Sequence, residues 1–352
     1  DVRRRLSHTQ NDVEVEGEEL GVSDVAERAA VPEHRILLDG LVRVAAAQAA
    51  KLVRSEVVAS VEHRTRCERS RDAAERIKAL MFTFDDLIKV CDAIDGKDGV
   101  KAFVADKLHH WNWIPYLMGN GGGVFKGPPE NLTPTFASPE GVKSADWYAN
   151  LLMKYGPDGQ LSYSDDQAMR AQMSGRANMR TQAITWGVPL VKDADSKVAK
   201  TTRFALMPAG PKGNFPGSNS HGLGIPAGSK KKEAAWEFIK WAFSKETMNM
   251  IVEKHGYPSV CRTSVIKSPK FKEVMTLNGQ DVAGLYLEVL QLGGKSGYMK
   301  YRTVPVFPQV GDKINRAIDK IATKQQAAPE AMKQAQAEAV QDLQKAGFKV
   351  DG

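Results

Sequence analysis

Cysteine is scarce in this chain: Cys67, Cys91 and Cys261 are the only three in 352 residues, and no two form a CxxC pair. That count excludes a disulfide framework and a cysteine-rich zinc site, leaving room for one bridge at most. No apolar run reaches the length needed to span a bilayer. Residues 1–20 carry acidic side chains where a signal peptide has its apolar stretch, so an export leader is expected to be absent from this chain. Phe, Tyr and Trp are missing from Asp1 to Leu80, a segment with only two lysines, Lys51 and Lys78. All the aromatic residues follow it.

Other function classes drop out for want of a motif. The formal charge of +7 and the pI near 9.1 invite a nucleic-acid reading. The lysines, however, are scattered over helical faces without an RNP, zinc-finger or helix-turn-helix signature, so no nucleic-acid partner is expected. Gly119 and Gly121 to Gly123 lack the lysine and serine of a phosphate loop. Gly293 to Ser296 reads GGKS, but Val289 stands where the first glycine belongs. The acidic pairs Asp85–Asp86 and Asp165–Asp166 sit at helix starts, where carboxylates favour the helix dipole. A glycosidase needs two carboxylates converging about 5–10 Å apart, which nothing here implies. The chain therefore reads as a non-enzyme, with no catalytic residue, metal ligand or cofactor expected.

A chain of this length exceeds the size of a single core and should divide into two lobes. Thr83 is placed to cap a helix from Phe84 to Ile94, with Leu87, Ile88, Cys91 and Ile94 on one face. Ser138 and Pro139 open a second helix, and Ser164 opens a third that Gly175 stops. Between Arg176 and Val188 the small and apolar run RANMRTQAITWGV reads as a buried strand that delivers Trp186 at its end, beside Gly187. An aromatic in that position suits a sugar, whose C–H faces stack on rings. Pro208 to Gly217 reads as a linker between lobes, Ser220 to Ile225 as a short strand, and Lys230 to Phe243 as an amphipathic helix. Tyr298 to Gln309 combines aromatics, an arginine and prolines in a loop, making Tyr301 a candidate stacker and Arg302 a candidate donor to hydroxyls.

Several of these segments recur in a fixed order: TFDDL at Thr83–Leu87, ASPEGVKSADWYANL at Ala137–Leu151, HGLGIPAGSKKKEAAWEFIKWAFSKE at His221–Glu246, HGYPSVCRTSV at His255–Val265, and APEAMKQAQAEAVQDL at Ala328–Leu343. That series resembles the extracellular solute-binding proteins of sugar ABC transporters (family 1), the group that includes maltose-binding protein. The resemblance covers about residues 83–352. It implies an α/β fold of the type II periplasmic-binding-protein kind, with two lobes, a hinge and a ligand cleft between them. It also implies a monomer in the periplasm or outside the cell, which captures a carbohydrate or polyol and delivers it to an ABC permease. Trp111, Trp113 and Tyr116 are then candidates for stacking on sugar, His221 and Gly222 for lining the cleft, and Tyr257 for its edge. The expected units are residues 1–80, 83–209 (a ligand-binding lobe), 210–285 (the crossover and part of the other lobe) and 286–352 (a cleft loop and closing helices).

Residues 1–80 do not resemble the family, whose members carry there the first strands of the N-terminal lobe. The N-terminal lobe is accordingly expected to be incomplete or altered, and the segment to be foreign, misframed or strongly diverged, or else a helical extension over Ile36–Leu80. A weakened cleft would follow. The alternative function is a helical interaction or regulatory protein built on a degraded binding scaffold.

Overall fold

The computed structural model describes residues 83–219 and 221–351. The expectations attached to residues 1–80 lie outside the described residues. The first helix, α1 (Phe84–Ile94), begins where the Thr83 hydroxyl accepts from the Asp86 amide at 3.2 Å and the Asp86 carboxylate accepts from the Thr83 amide in return. This reciprocal cap satisfies two amides that the helix leaves unpaired. One face then buries Phe84, Leu87, Val90, Cys91 and Ile94. Burial pushes the Cys91 thiol up to about 12, so it packs as an inert apolar group.

Strand β1 (Lys101–Phe103) leads into two short helices, α2 (His109–Asn112) and α3 (Ile114–Gly119), and then a hairpin of β2 (Phe125–Gly127) and β3 (Asn131–Pro134). The long helix α4 (Pro139–Tyr155) is capped by the Ser138 hydroxyl and fits the expected Ser–Pro start. Helix α5 (Asp165–Met173) is capped by Ser164 together with Gln167. It ends ahead of Gly175, whose φ of 75° lies in the left-handed region that glycine adopts without strain. Strand β4 (Ala177–Met179) pairs in parallel with β1, in the register Lys101↔Ala177 and Phe103↔Met179.

The strand expected over residues 176–188 is shorter than the sequence implies. Pairing ends with the bond from the Val104 amide to the Met179 carbonyl, because β1 offers no partner further on. Trp186 stands instead on a single 3-10 turn, Ile184–Trp186, which runs directly into α6 (Gly187–Lys192). The chain then continues through α7 (Lys232–Ala242), α8 (Lys245–His255), α9 (Thr263–Ile266), α10 (Pro269–Val274), a two-residue pair β5 (Thr276–Leu277) and β6 (Gln280–Asp281), and α11 (Val282–Ser296). GGKS lies inside α11, a helical setting unlike a phosphate loop. After a 3-10 segment, Tyr298–Thr303, the chain closes with α12 (Phe307–Ala322) and α13 (Ala328–Lys345).

Two main apolar cores organise these elements. The larger gathers α1, α3, α4, α12 and α13, with Tyr148, Leu152, Ile314, Ile318, Met332 and Leu343 at its centre. The smaller joins α8 to α11 through Met248, Val252, Phe271, Met275 and Tyr286, and Ile184, Val188 and Phe204 pack onto it from the earlier part of the chain. Helix α11 runs unbroken through residues 285 and 286, from the Asp281 cap to the left-handed Gly297.

Of the segment 220–225 expected as a strand, the described residues 221–225 pair with no strand among the described residues, and a side chain added at Gly222 or Gly224 would meet nothing within 4 Å. Helix α7 has the expected amphipathic pattern yet buries none of its residues: Phe238 and Trp241 are each 57% exposed. Pattern alone does not bury a face; a partner surface must cover it.

Candidate functional site

A cavity of about 820 Å³ borders β1 and β4 and extends beyond their C-terminal ends, lined by residues that belong to or pack on both cores. Ligands in parallel α/β sheets characteristically bind beyond that end of the strands. Its walls at that end include the chain after β1 (Asp106, Leu108), α2 and α3 (Trp111, Asn112, Tyr116), the stretch after β4 (Arg180 to Trp186), residues 201–208 and 216–219, and Tyr298. Trp186 and Trp111 are both lining residues and both partly exposed, so the cavity has two large aromatic surfaces. Each indole offers a flat apolar face for a C–H-rich ligand.

The Arg302 guanidinium carbon lies 3.1 Å from the Trp111 ring centroid. Arg302 itself does not line the cavity; its cation backs the indole, and the pairing fixes the ring's orientation. The Tyr298 hydroxyl reaches the Trp111 carbonyl at 3.4 Å and holds the same residue from the backbone side. Tyr116 borders the cavity but is fully buried, its ring 5.1 Å from both Phe84 and Trp147 and 5.6 Å from Tyr148. Its hydroxyl donates to the Thr181 hydroxyl at 3.1 Å, and burial holds the phenol pKa above its usual value. Tyr116 thus supports the wall through Thr181 instead of presenting a face.

The remaining sequence candidates fall elsewhere. Trp113 is fully buried in the larger core, and its indole nitrogen has no partner among the described residues. Tyr301 is 5% exposed and packs between Tyr298 and Phe307, with ring centroids 5.3 and 4.9 Å away. The segment expected as a loop has folded into a 3-10 turn that turns this ring inward. His221 and Gly222 are exposed and Tyr257 is 53% exposed, and none of the three lines the cavity.

A polar cluster that the sequence reading passed over stands on the same wall. Arg180, with a side chain only 1% exposed, donates from Nη2 to Asp106 Oδ2 at 2.9 Å and to Asp165 Oδ1 in a shorter contact. Asp106, 5% exposed, also accepts from the Leu108 amide at 2.8 Å and from Asn112 Nδ2 at 3.1 Å. Gln182 Nε2 donates to Asp165 at 2.8 Å. Asp165 therefore does more than favour the dipole of α5: it ties the start of that helix to the end of β4. The signal in the sequence was the position of Asp106 and Arg180, each just past a short strand at the end of the sheet where ligands gather. Buried charges of this kind are retained only when paired.

With this geometry described, comparison with known proteins gives the family. A family model for the bacterial extracellular solute-binding proteins matches residues 71–249, just over half of the chain. The chain belongs to that family. The matched span begins inside the segment 1–80 that the sequence reading set apart. A mannitol-binding protein of Pseudomonas aeruginosa is 26% identical over 232 residues, covering 62% of this chain and 52% of that relative. A solute-binding protein of Agrobacterium radiobacter solved with ribitol superimposes with a TM-score of 0.64 at 23% identity, covering 73% of this chain and 63% of the other. One of Agrobacterium vitis with bound D-mannitol gives 0.61 at 23%, covering 79% and 70%.

The fold is thus the type II periplasmic-binding-protein fold expected from the resemblance. The chain spans about half the length of the curated relatives it matches. Its family is one of extracellular solute binders, and no described helix is long and apolar enough to cross a membrane. Among the described residues no group of His, Cys, Asp and Glu is arranged to hold a metal ion.

Proposed function

We propose that this protein is the substrate-binding component of an ABC transporter, taking a carbohydrate or polyol into the cavity and delivering it unaltered to a membrane permease outside the cytoplasm. The observation that carries this reading is the pairing of two partly exposed indoles, Trp111 and Trp186, with the polar row Asp106, Asn112, Arg180 and Gln182 in one cavity. Sugars and alditols present both C–H faces and many hydroxyls, so they need stacking surfaces together with donors and acceptors. The names of the relatives, a mannitol binder and proteins solved with ribitol and mannitol, support the same ligand class. Release to a permease follows if ligand bridging the two halves draws them together and the permease favours that closed form.

The test is a thermal-shift screen of the full chain against D-mannitol, ribitol and maltose, since a ligand of the folded state raises its melting temperature. A saturable rise with at least one of them is expected; none with any would overturn the reading. Incubation with oligosaccharides should release no product. A second reading, a helical interaction or regulatory protein, draws on α7, whose Phe238 and Trp241 rings are exposed side by side at 5.7 Å. Replacing both with lysine separates the two: carbohydrate binding survives if the cavity is the site, whereas capture of a protein partner through α7 is lost.

A further inference from the structure

Arginine beside a cavity ordinarily points to an anionic ligand, because its five N–H donors form a fork that fits a carboxylate. Here both Nη groups of the fork are already engaged. Arg180 gives Nη2 to Asp106 and Asp165, and Nη1 reaches the Asp165 carbonyl at 3.4 Å. Two carboxylates face one guanidinium, so the cluster itself carries one net negative charge. Asp165 Oδ2 accepts nothing among the described residues, and the Asp165 side chain is 34% exposed, leaving acceptor capacity toward the cavity.

Arg180 Nε is buried and has no partner among the described residues, and the residue borders the cavity. Asn112 and Gln182 add amide groups and Thr181 a hydroxyl beside it. Hydroxyl groups both donate and accept, so a neutral alditol can give hydrogens to the carboxylates and lone pairs to the amides. A sugar acid offers an acceptor-only group of the same sign as this cluster; the cavity's other charged lining residues, Lys97, Asp98 and Arg203, lie outside it.

We infer that the Asp106–Arg180–Asp165 cluster is a charge filter that selects uncharged polyhydroxy ligands and rejects sugar acids of the same carbon skeleton. This rests on the reading of the cavity as a carbohydrate site and narrows its ligand class. Arg180 acts as the positioning residue that holds the two carboxylates in place, and the carboxylates set the selectivity.

The experiment is calorimetric titration of the full chain with D-mannitol and D-mannonate, which differ in charge at one end of the same chain of carbons, with ribitol and maltose as further neutral probes. Mannitol is expected to bind at least tenfold more tightly than mannonate. Asp106→Asn and Asp165→Asn, which keep side-chain shape and remove one charge each, should narrow that ratio to below about threefold. A purely structural role would weaken both ligands alike and leave the ratio unchanged. Asp165 is the more exposed of the pair, so Asp165→Asn decides the matter if Asp106→Asn does not fold. Equal binding of mannitol and mannonate, tighter binding of mannonate, or an unchanged ratio in every folded variant would overturn the filter while leaving the carbohydrate reading intact. Failure of all four compounds to bind would overturn that reading, and the filter with it.

Discussion

Removing the Tyr116 hydroxyl separates support of the cavity wall from direct contact with ligand. The ring is fully buried against Phe84, Trp147 and Tyr148, and only the hydroxyl reaches outward, to Thr181 at 3.1 Å. Tyr116→Phe keeps every ring contact and deletes one hydrogen bond, a loss of about 1 kcal/mol. Thr181 is only half-buried and lines the cavity, so water can replace the lost partner, which places the cost at the lower side of that range. Tyr116→Ala removes the ring and opens a void among three aromatics, a loss of about 3–5 kcal/mol.

Urea unfolding followed by near-ultraviolet circular dichroism reads both, with the slope checked for constancy so that the midpoint reports stability. Polyol affinity should fall less than tenfold in Tyr116→Phe, because a tenfold change requires about 1.4 kcal/mol and no stacking surface is lost. A stable Tyr116→Ala protein with abolished binding would refute this reasoning and make the ring a ligand platform.

Trp113→Ala is expected to cost about 3–5 kcal/mol in the same urea assay, since this indole lies wholly within the larger core; a cost below about 1 kcal/mol would contradict its placement. Acidification should destabilise the protein through His110. Burial of its ring outweighs the Asn315 hydrogen bond and holds its pKa below the usual imidazole value, with the Arg302 charge acting in the same direction. The unfolded chain then takes up the proton first as pH falls, so stability is greatest above about 6.5 and declines from there toward the lower folded-state pKa. His110→Asn, compared with wild type by melting temperature between about pH 7.5 and 5.5, should show a smaller decline; an equal or larger one would contradict the assignment.

Local rules carried much of the secondary structure. The Thr83, Ser138 and Ser164 caps, the glycine stop at Gly175, and the helices that close the chain follow from short-range chemistry that a sequence displays directly. Strands were less legible, because a strand exists only where a neighbour pairs with it. The run before Trp186 has strand composition, but β1 is three residues long and pairing stops at Met179. The segment after Ser220 reads the same way and pairs with nothing among the described residues.

The site divides along the same line. Trp186 and Trp111 could be singled out as large aromatics near turns, but Trp113, two residues from Trp111, points into the core because successive helical turns direct it there. Asp106, Arg180 and Asp165 are 59 or more residues apart, except for the last two, and only the β1–β4 pairing brings them together. Nothing in a linear reading announces such a contact.

Isothermal titration of the full chain with ribitol and D-mannitol, alongside Trp186→Ala, tests the central claim most directly. The account requires saturable one-to-one binding of at least one polyol with a dissociation constant of about 1 mM or tighter, weakened at least tenfold in a folded Trp186→Ala protein. No saturable heat with either polyol, or equal affinity without the indole, would contradict it.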